Sequence, residues 1–336
     1  MTVDAAGTLT TTVDASSPSA KLILDDVQGG KELLAIFRLA SSNEEALELD
    51  SMLITDDGSD RAVDEYFFQA KSKTGTNLGV ERNIVGGATA EVFWADGDVT
   101  IPANDYIRVY VYGQTRDIDN SAADNNDTVI VTIAAAGDVD TTGLASGTAV
   151  DSTETSVDAN THKLYTSYPT FAWATVSNTV LAGSAAHLLA ELNVTAVGDE
   201  DVTFQNADGN LIVFQLTVVG TDTDTANELV TFRQKDTGVQ LDNEGTFSSA
   251  TGTAEITLDF TDADLTVPAG TTRTISIYAP VDDLEANGDS IQTWLDQTTA
   301  ADIDFGSAGV NFVNAAADVI IRLMSSAYAQ THVNPS

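Results

Sequence analysis

Residues 100–117 read TIPANDYIRVYVYGQTRD, and residues 266–283 read TVPAGTTRTISIYAPVDD. Each stretch sets Thr, an apolar residue, Pro and Ala before a short turn, runs into an apolar strand carrying tyrosine, and closes on Asp. Thr100 and Thr266, Pro102 and Pro268, Tyr112 and Tyr278, and Asp117 and Asp283 all lie 166 positions apart. Outward from this block, FWADGDVTIPA (93–103) faces DFTDADLTVPA (259–269) at the same spacing. NNDTVIVTI (125–133) faces NGDSIQTWL (287–295) at a spacing of 162, and LLAIFRL (33–39) faces LLAELNV (188–194) at 155. Spacing that is constant within strands and shifts between them is what loop-length variation does to two copies of one domain.

The local pattern in both copies is apolar alternation with period two. LTTTVDA (9–15), AKLIL (20–24), LLAIFRLA (33–40), ALELDSMLI (46–54), YIRVYVY (106–112), DTVIVTIA (127–134), LIVFQLTVV (211–219), AEITLDF (254–260), RTISIYA (273–279) and DVIIRLM (318–324) are rich in Val, Ile, Thr and Tyr. Asp, Asn, Gly and Ser clusters separate them, as expected for short strands joined by turns. NAAADVIIRLMSSAYAQ (314–330) is the one stretch whose alanines suit a helix, and its VIIRLM centre reads as a strand. The expectation is an all-β chain of two tandem immunoglobulin-like, Greek-key β-sandwich domains joined by a Gly/Ser/Thr-rich connector. The boundaries are 1–135 for the first sandwich with its N-terminal strand, 136–167 for the connector, 168–300 for the second sandwich, and 301–336 for a C-terminal strand and tail.

The chain has 336 residues, 43% of them hydrophobic, enough for two cores. Its 51 acids against 14 bases give a formal charge of −37, which repels phosphate backbones and anionic lipid and argues against nucleic-acid or membrane-surface partners. The absence of cysteine excludes disulfides, thiolate catalysis and Cys-ligated metal. No apolar run approaches the roughly 20 residues of a membrane-spanning helix. The start MTVDAAGTLTTTVDASS lacks a basic segment followed by an apolar one, so an exported form would have lost its signal already.

No catalytic constellation stands out. His162, His187 and His332 fall in the connector, at a strand start and in the tail, and read as solvent-facing or capping residues. No GxSxG, HExxH or phosphate-loop pattern occurs, and with so many acids no carboxylate pair singles itself out as a catalytic dyad. The expectation is a protein that is not an enzyme. Calcium is the one cofactor to weigh, because DIDNSAADNNDT (117–128) crowds short oxygen side chains into one loop, with Asp117, Asp119, Asp124 and Asp127 as candidate ligands. The competing reading is that these residues make Asx-turns. Asn126-Asp127-Thr128 and Asn193-Val194-Thr195 are glycosylation sequons, and only Asn126 lies off a strand. Trp94, Trp173 and Trp294 read as core or interface aromatics ahead of a sugar platform.

GLASGTAV (143–150), KLYTSYPTFAW (163–173), VSNTVLAGSAAHLLAELNVTA (176–196), GDEDVTF (198–204), VPAG (267–270) and NGDSI (287–291) together resemble the tandem β-sandwich modules of large bacterial surface proteins, often S-layer-like or filament-forming. The resemblance covers nearly the whole chain in pattern and composition, without invariant catalytic residues. It implies an extracellular structural protein, although members of that group are far longer and no anchoring motif follows residue 300. The reading is a self-assembling extracellular or cell-surface subunit of a filament, pilus-like fibre or surface layer, whose partners are copies of itself and with no transmembrane insertion. Leu9, Thr11 and Val13 would form a donated assembly strand, satisfying the open edge of a neighbour by main-chain hydrogen bonds. The alternative is an adhesin or carbohydrate-binding surface module with a glycan or cell-surface partner.

Overall fold

A computed structural model describes residues 7–335 apart from 26–29, 43, 60, 119–122, 182, 221–226, 244, 297–302, 308–309, 314–323 and 325–327. The described residues are β-strands and turns, with one 3-10 turn at Asn206–Asp208 and no α-helix. The chain divides into two compact units, Met1–Tyr165 and Thr166–Ser336.

In the first unit, an antiparallel five-stranded sheet runs in the order Leu9–Val13, Glu32–Ser41, Tyr106–Thr115, Val63–Ser72, Asn77–Val85. Tyr106–Thr115 shows why these residues make a strand: every second side chain, including Ile107, Val109 and Val111, is buried, while Tyr106, Arg108, Tyr110 and Tyr112 point the other way. A second sheet is centred on Leu47–Asp56, which pairs with Thr89–Phe93, Thr100–Ile101, Val131–Ile133 and Val139–Gly143. The inward faces supply one continuous core containing Leu34, Phe37, Leu49, Met52, Ile54, Phe68 and Val109. Burying each of the larger of these side chains contributes about 1.5–3 kcal/mol, and this is what fixes the register.

The second unit repeats that arrangement strand for strand. Its five-stranded sheet runs Ser167–Ala174, His187–Gly198, Thr272–Ala279, Thr231–Gln234, Gln240–Asp242. Leu33 lies opposite Tyr112 as Leu188 lies opposite Tyr278, and a register shift follows each pair, at Ala35 and at Ala190. Ile101 faces Leu47 as Val267 faces Val202, so the residues before Pro102 and Pro268 hold equivalent places. Ile54 faces Ala90 as Phe214 faces Ile256. One of the insertions between the copies falls inside a strand. The continuous strand Leu47–Asp56 corresponds to Val202–Phe204 and Leu211–Val219, divided by the turn at 205–210, where Gly209 takes a left-handed φ of 72°.

Two expected boundaries move. Residues 136–165, read as a connector, give the first unit the strands Val139–Gly143, Val157–Asp158 and His162–Tyr165. The reason is long-range: the Glu45 carboxylate accepts hydrogen bonds from the Ala145 and Ser146 amides (2.9 Å each), the Ser146 hydroxyl (2.7 Å) and the Gly7 amide (3.2 Å), pinning a turn whose composition alone suggests a free linker. Ser167–Ala174 then opens the second unit in the edge position that Leu9–Val13 holds in the first, and Pro169 is tolerated there because only an edge strand can spare its N–H. Beyond residue 300, Ile303–Ser307, Val310–Val313 and Tyr328–Val333 pair into the second unit. The strand expected at 318–324 lies outside the described residues except for Met324.

Candidate functional site

The outward face of the first unit's five-stranded sheet concentrates cations and aromatics. Arg38 lies directly opposite Arg108, and Arg108 directly opposite Lys71, so three cations form a row across three neighbouring strands. Like charges in that relation repel, by a few tenths to about 1 kcal/mol per pair. The rings beside them answer part of that cost. The Arg38 guanidinium sits 4.1 Å from the Tyr106 ring centre, the Lys71 ammonium 4.1 Å from Tyr110, the Lys73 ammonium 5.1 Å from Tyr106, and the Lys31 ammonium 3.5 Å from Phe67. Tyr110 and Tyr112 stack with ring centres 6.4 Å apart.

Arg108 is the fixed member of the row. Its Nε donates to Asp14 Oδ2 at 2.8 Å, Nη1 to the Lys73 carbonyl at 3.2 Å and Nη2 to the Tyr106 hydroxyl at 3.3 Å. Burial opposes ionisation of Asp14, but hydrogen bonds from Ser16 and Arg108 outweigh it and hold the carboxyl below its ordinary pKa; the bond that Arg108 donates to Asp14 raises the arginine's pKa in return. Lys31 pairs with Glu81 at 2.6 Å and Lys73 with Asp105 at 3.2 Å. Arg38 and Lys71 have no carboxylate within ion-pair distance among the described residues, in a chain with 51 acids.

The second unit shows that the fold does not require this face. Arg38 opposite Arg108 becomes Asn193 opposite Thr274, joined by a 2.8 Å hydrogen bond from the threonine hydroxyl. Tyr106 and Tyr110 become Thr272 and Ser276 at the constant spacing of 166. Lys235 stands where Lys71 does but is neutralised by Glu191 at 2.7 Å, and Arg233 stands where Gln69 does. Ten of the chain's fourteen bases precede residue 166. The sequence pattern predicted the strand YIRVYVY and not the face; the readable signal was the divergence of Tyr106, Arg108 and Tyr110 from their partners inside an otherwise matching block.

The residues singled out from sequence are placed differently. Arg61 bridges the loop: its Nη2 lies 2.8 Å from Asp124 Oδ2 and its Nε 3.2 Å from Asp127 Oδ2. Asp127 Oδ2 also accepts the Asp124 amide at 2.8 Å, as Asp289 Oδ2 accepts the Ala286 amide at 2.9 Å, so the second copy keeps this Asx-type turn without the second carboxylate. Asp119 lies outside the described residues, and Asp117 is half-buried just beyond the strand Tyr106–Thr115. Among the described residues no group of three or more His, Asp or Glu is arranged to hold a metal ion. Asn126 is exposed, with its Oδ1 accepting the Tyr165 hydroxyl at 3.2 Å.

Leu9, Thr11 and Val13 pair within their own unit, opposite Ser41, Leu39 and Phe37, and Leu9 and Thr11 are buried. The strand read as a donor is thus the edge strand of its own sheet, because its apolar side belongs to the core beneath it. The histidines, expected at the surface, are all buried. His162 Nε2 lies 2.9 Å from the Leu34 carbonyl, and His187 Nε2 lies 3.0 Å from His332 Nδ1 with the rings perpendicular. Trp94 is buried, and Trp173 packs 6.3 Å from Phe214.

No family model matches the chain, and no curated protein does. Among solved structures it is similar to the C-terminal domain of the Streptococcus agalactiae AgI/II polypeptide BspA, at 11% identity over 91% of this chain and 97% of that one, with a TM-score of 0.26. It is similar also to the collagen binding domain of the Erysipelothrix rhusiopathiae surface protein RspB, at 12% identity over 96% and 97% of the two chains, with a TM-score of 0.14. A tetra-tandem repeat in the extending region of a large adhesion protein matches at 11% identity over 93% and 89%, again with a TM-score of 0.14. Scores this low do not carry a strand arrangement from one chain to another. Among the described residues no helix is long and apolar enough to cross a membrane.

Proposed function

We propose that the chain is a non-enzymatic structural subunit of an extracellular filament, fibre or surface layer, built from two tandem Greek-key β-sandwich modules. The observation that carries this reading is the strand-for-strand duplication. Leu33–Tyr112 and Leu188–Tyr278, Leu47–Ile101 and Val202–Val267, and Ile54–Ala90 and Phe214–Ile256 are the same contacts made twice. A chain that devotes both halves to one module, each half with its own core, gains length and surface from the repetition. The charge of −37 keeps the free subunit soluble, and assembly must then offset the repulsion, for which divalent counter-ions such as calcium are suited.

Electron microscopy of the purified protein, with calcium and with EDTA, tests the reading. Ordered filaments or sheets are expected. A protein that stays monodisperse and monomeric at high concentration in both conditions overturns it. The adhesin reading is favoured by one observation, the cationic and aromatic face of the first unit, and a monomer that binds a glycan without assembling would select it.

A further inference from the structure

We propose that His187 and His332 form a two-imidazole site for a late first-row divalent transition-metal ion of the zinc, nickel and copper class. His187 opens the strand His187–Gly198, and His332 lies 145 residues further on, in the strand Tyr328–Val333. The two strands belong to different sheets of the second unit, so an ion held by both rings ties one sheet to the other. His187 Nε2 lies 3.0 Å from His332 Nδ1, with the ring planes at 88°. Two nitrogens bound to one ion at about 2.0–2.1 Å stand about 2.9 Å apart at a right angle and about 3.3 Å apart at the tetrahedral angle. The pair already has the separation of two ligands on one ion. Neutral imidazole suits these metals, whereas calcium takes six to eight oxygens and is not served by two rings.

The first unit shows what this place in the fold accepts. Glu32 lies opposite Gly113 as His187 lies opposite Ala279, so the imidazole stands where the first unit has a carboxylate. Lys21 runs beside His162 in a parallel pairing, and the parallel bridge of Val180 to Val333 sets Thr179 beside His332 in the same way. Glu32 holds the Lys21 ammonium at 2.6 Å, so the first unit keeps a cation and its ligand next to its buried histidine. The second unit lacks both the lysine and the carboxylate and has a second imidazole instead, which exchanges a ligand for an ammonium for a ligand for a metal ion. The Leu189 backbone lies beside the His332 ring, as the Leu34 carbonyl lies 2.9 Å from His162 Nε2. A carbonyl on the far nitrogen selects the tautomer whose lone pair, on Nδ1, faces His187, the arrangement that orients metal-binding histidines. His187 also lines a cavity of about 340 Å³ with Ser177, Asn178 and Ser184, which gives an entry path and room for the waters that complete the coordination.

Electron paramagnetic resonance of copper(II) added to the full chain at one equivalent and near-neutral pH tests the site directly. The expected wild-type spectrum shows coupling to two imidazole nitrogens, and zinc displaces the copper while calcium does not. Calorimetric affinity for zinc should fall about tenfold or more in His187→Gln and in His332→Gln. It should be unchanged in His162→Gln, whose ring meets a backbone carbonyl and not a second histidine. A further variant, Thr179→Lys/His187→Glu, carries the Lys21–Glu32 pair of the first unit into the second; it should give a β-type circular dichroism spectrum and bind zinc no more tightly than calcium. A wild-type copper spectrum without imidazole coupling overturns the proposal whether or not the variants fold. So does zinc affinity that is equal in wild type and the Lys/Glu variant, or a loss in His162→Gln as large as in the other two. In those cases the contact of His187 with His332 is a hydrogen bond inside the unit and nothing more. All of these readings are made on the monomer, so they succeed or fail independently of the assembly reading above.

Discussion

His162 and His332 occupy the same place in the two units: His162 lies opposite Val129 across the ladder and His332 lies opposite Ile291, and each strand also runs parallel to a segment near the start of its unit. Both rings are buried. His162 turns to the Leu34 carbonyl, whereas His332 meets His187, which stands where the first unit has Glu32. Burial lowers the pKa of all three histidines, and for His332 the neighbouring His187 adds to the effect.

The pH dependence follows from that direction. A histidine kept neutral in the folded state and free to protonate at about 6.5 when unfolded contributes nothing at pH 8 and destabilises as pH falls below 6.5. Urea midpoints are therefore expected to drop between pH 7 and pH 5. The drop should be smaller in His162→Gln, which removes one of the three buried rings. A midpoint that is flat over this range contradicts the assignment.

Glu45 makes the opposite contribution. Hydrogen bonds from the Ser146 hydroxyl and amide, with those from Gly7 and Ala145, lower its pKa from 4.5 to about 2 against the opposing effect of burial. Its stabilisation is thus complete above pH 4.5 and lost as pH falls towards 2. Glu45→Gln should be less stable than wild type at pH 7, with the difference closing in that acid window. Denaturant titrations of the two proteins at pH 7, 4 and 2 measure it.

The same residue marks where sequence reading stopped. The strands around Pro102 and Pro268, the offsets of 155, 162 and 166, and the strand character of the described residues were legible, because alternation and turn chemistry are local. The role of 136–165 was not, because Glu45 reaches Ala145 and Ser146 across about one hundred residues and a Gly/Ser/Thr composition does not show it. The histidines were misplaced for a related reason: a polar side chain inside a short strand carries no mark of which side faces the core. The Arg38–Arg108–Lys71 row needed the register between three strands that are distant in sequence.

Each unit is expected to fold alone. Residues 1–165 and 166–336 divide the chain into compact units, and the first contains a continuous core of its own. Expressed separately, both should give β-type circular dichroism and a cooperative melt. A half that remains unfolded would show that its stability depends on the other.

Leu9 tests the role of the first strand. It is buried beneath the ladder that its strand makes with Glu32–Ser41, so Leu9→Ala should destabilise the first unit by about 2–4 kcal/mol. Deleting residues 1–15 should cost more, because it also exposes the Glu32–Ser41 edge and takes Asp14 from Arg108. If the deletion leaves the monomer's melting temperature unchanged, the strand is not needed at home and is free to act as a donor.

Asn126 and Gly288 are the same turn position in the two copies, and both have left-handed backbone, with φ of 73° and 90°. A side chain with a Cβ is strained there by roughly 1–2 kcal/mol unless it is Asn or Asp, whose short polar group tolerates the conformation. Gly288→Ala should therefore cost the second unit about 1 kcal/mol, although nothing lies within 4 Å of the position the new carbon would take, so the penalty is conformational and not steric. Asn126→Ala should cost the first unit more, since it adds the loss of the Tyr165 hydrogen bond to the same strain. Asn126→Gly, which keeps the backbone and loses only that bond, should fall between wild type and Asn126→Ala. Thermal melts of the three variants decide it: an Asn126→Gly protein less stable than Asn126→Ala would show that the left-handed turn is not why asparagine stands at this sequon.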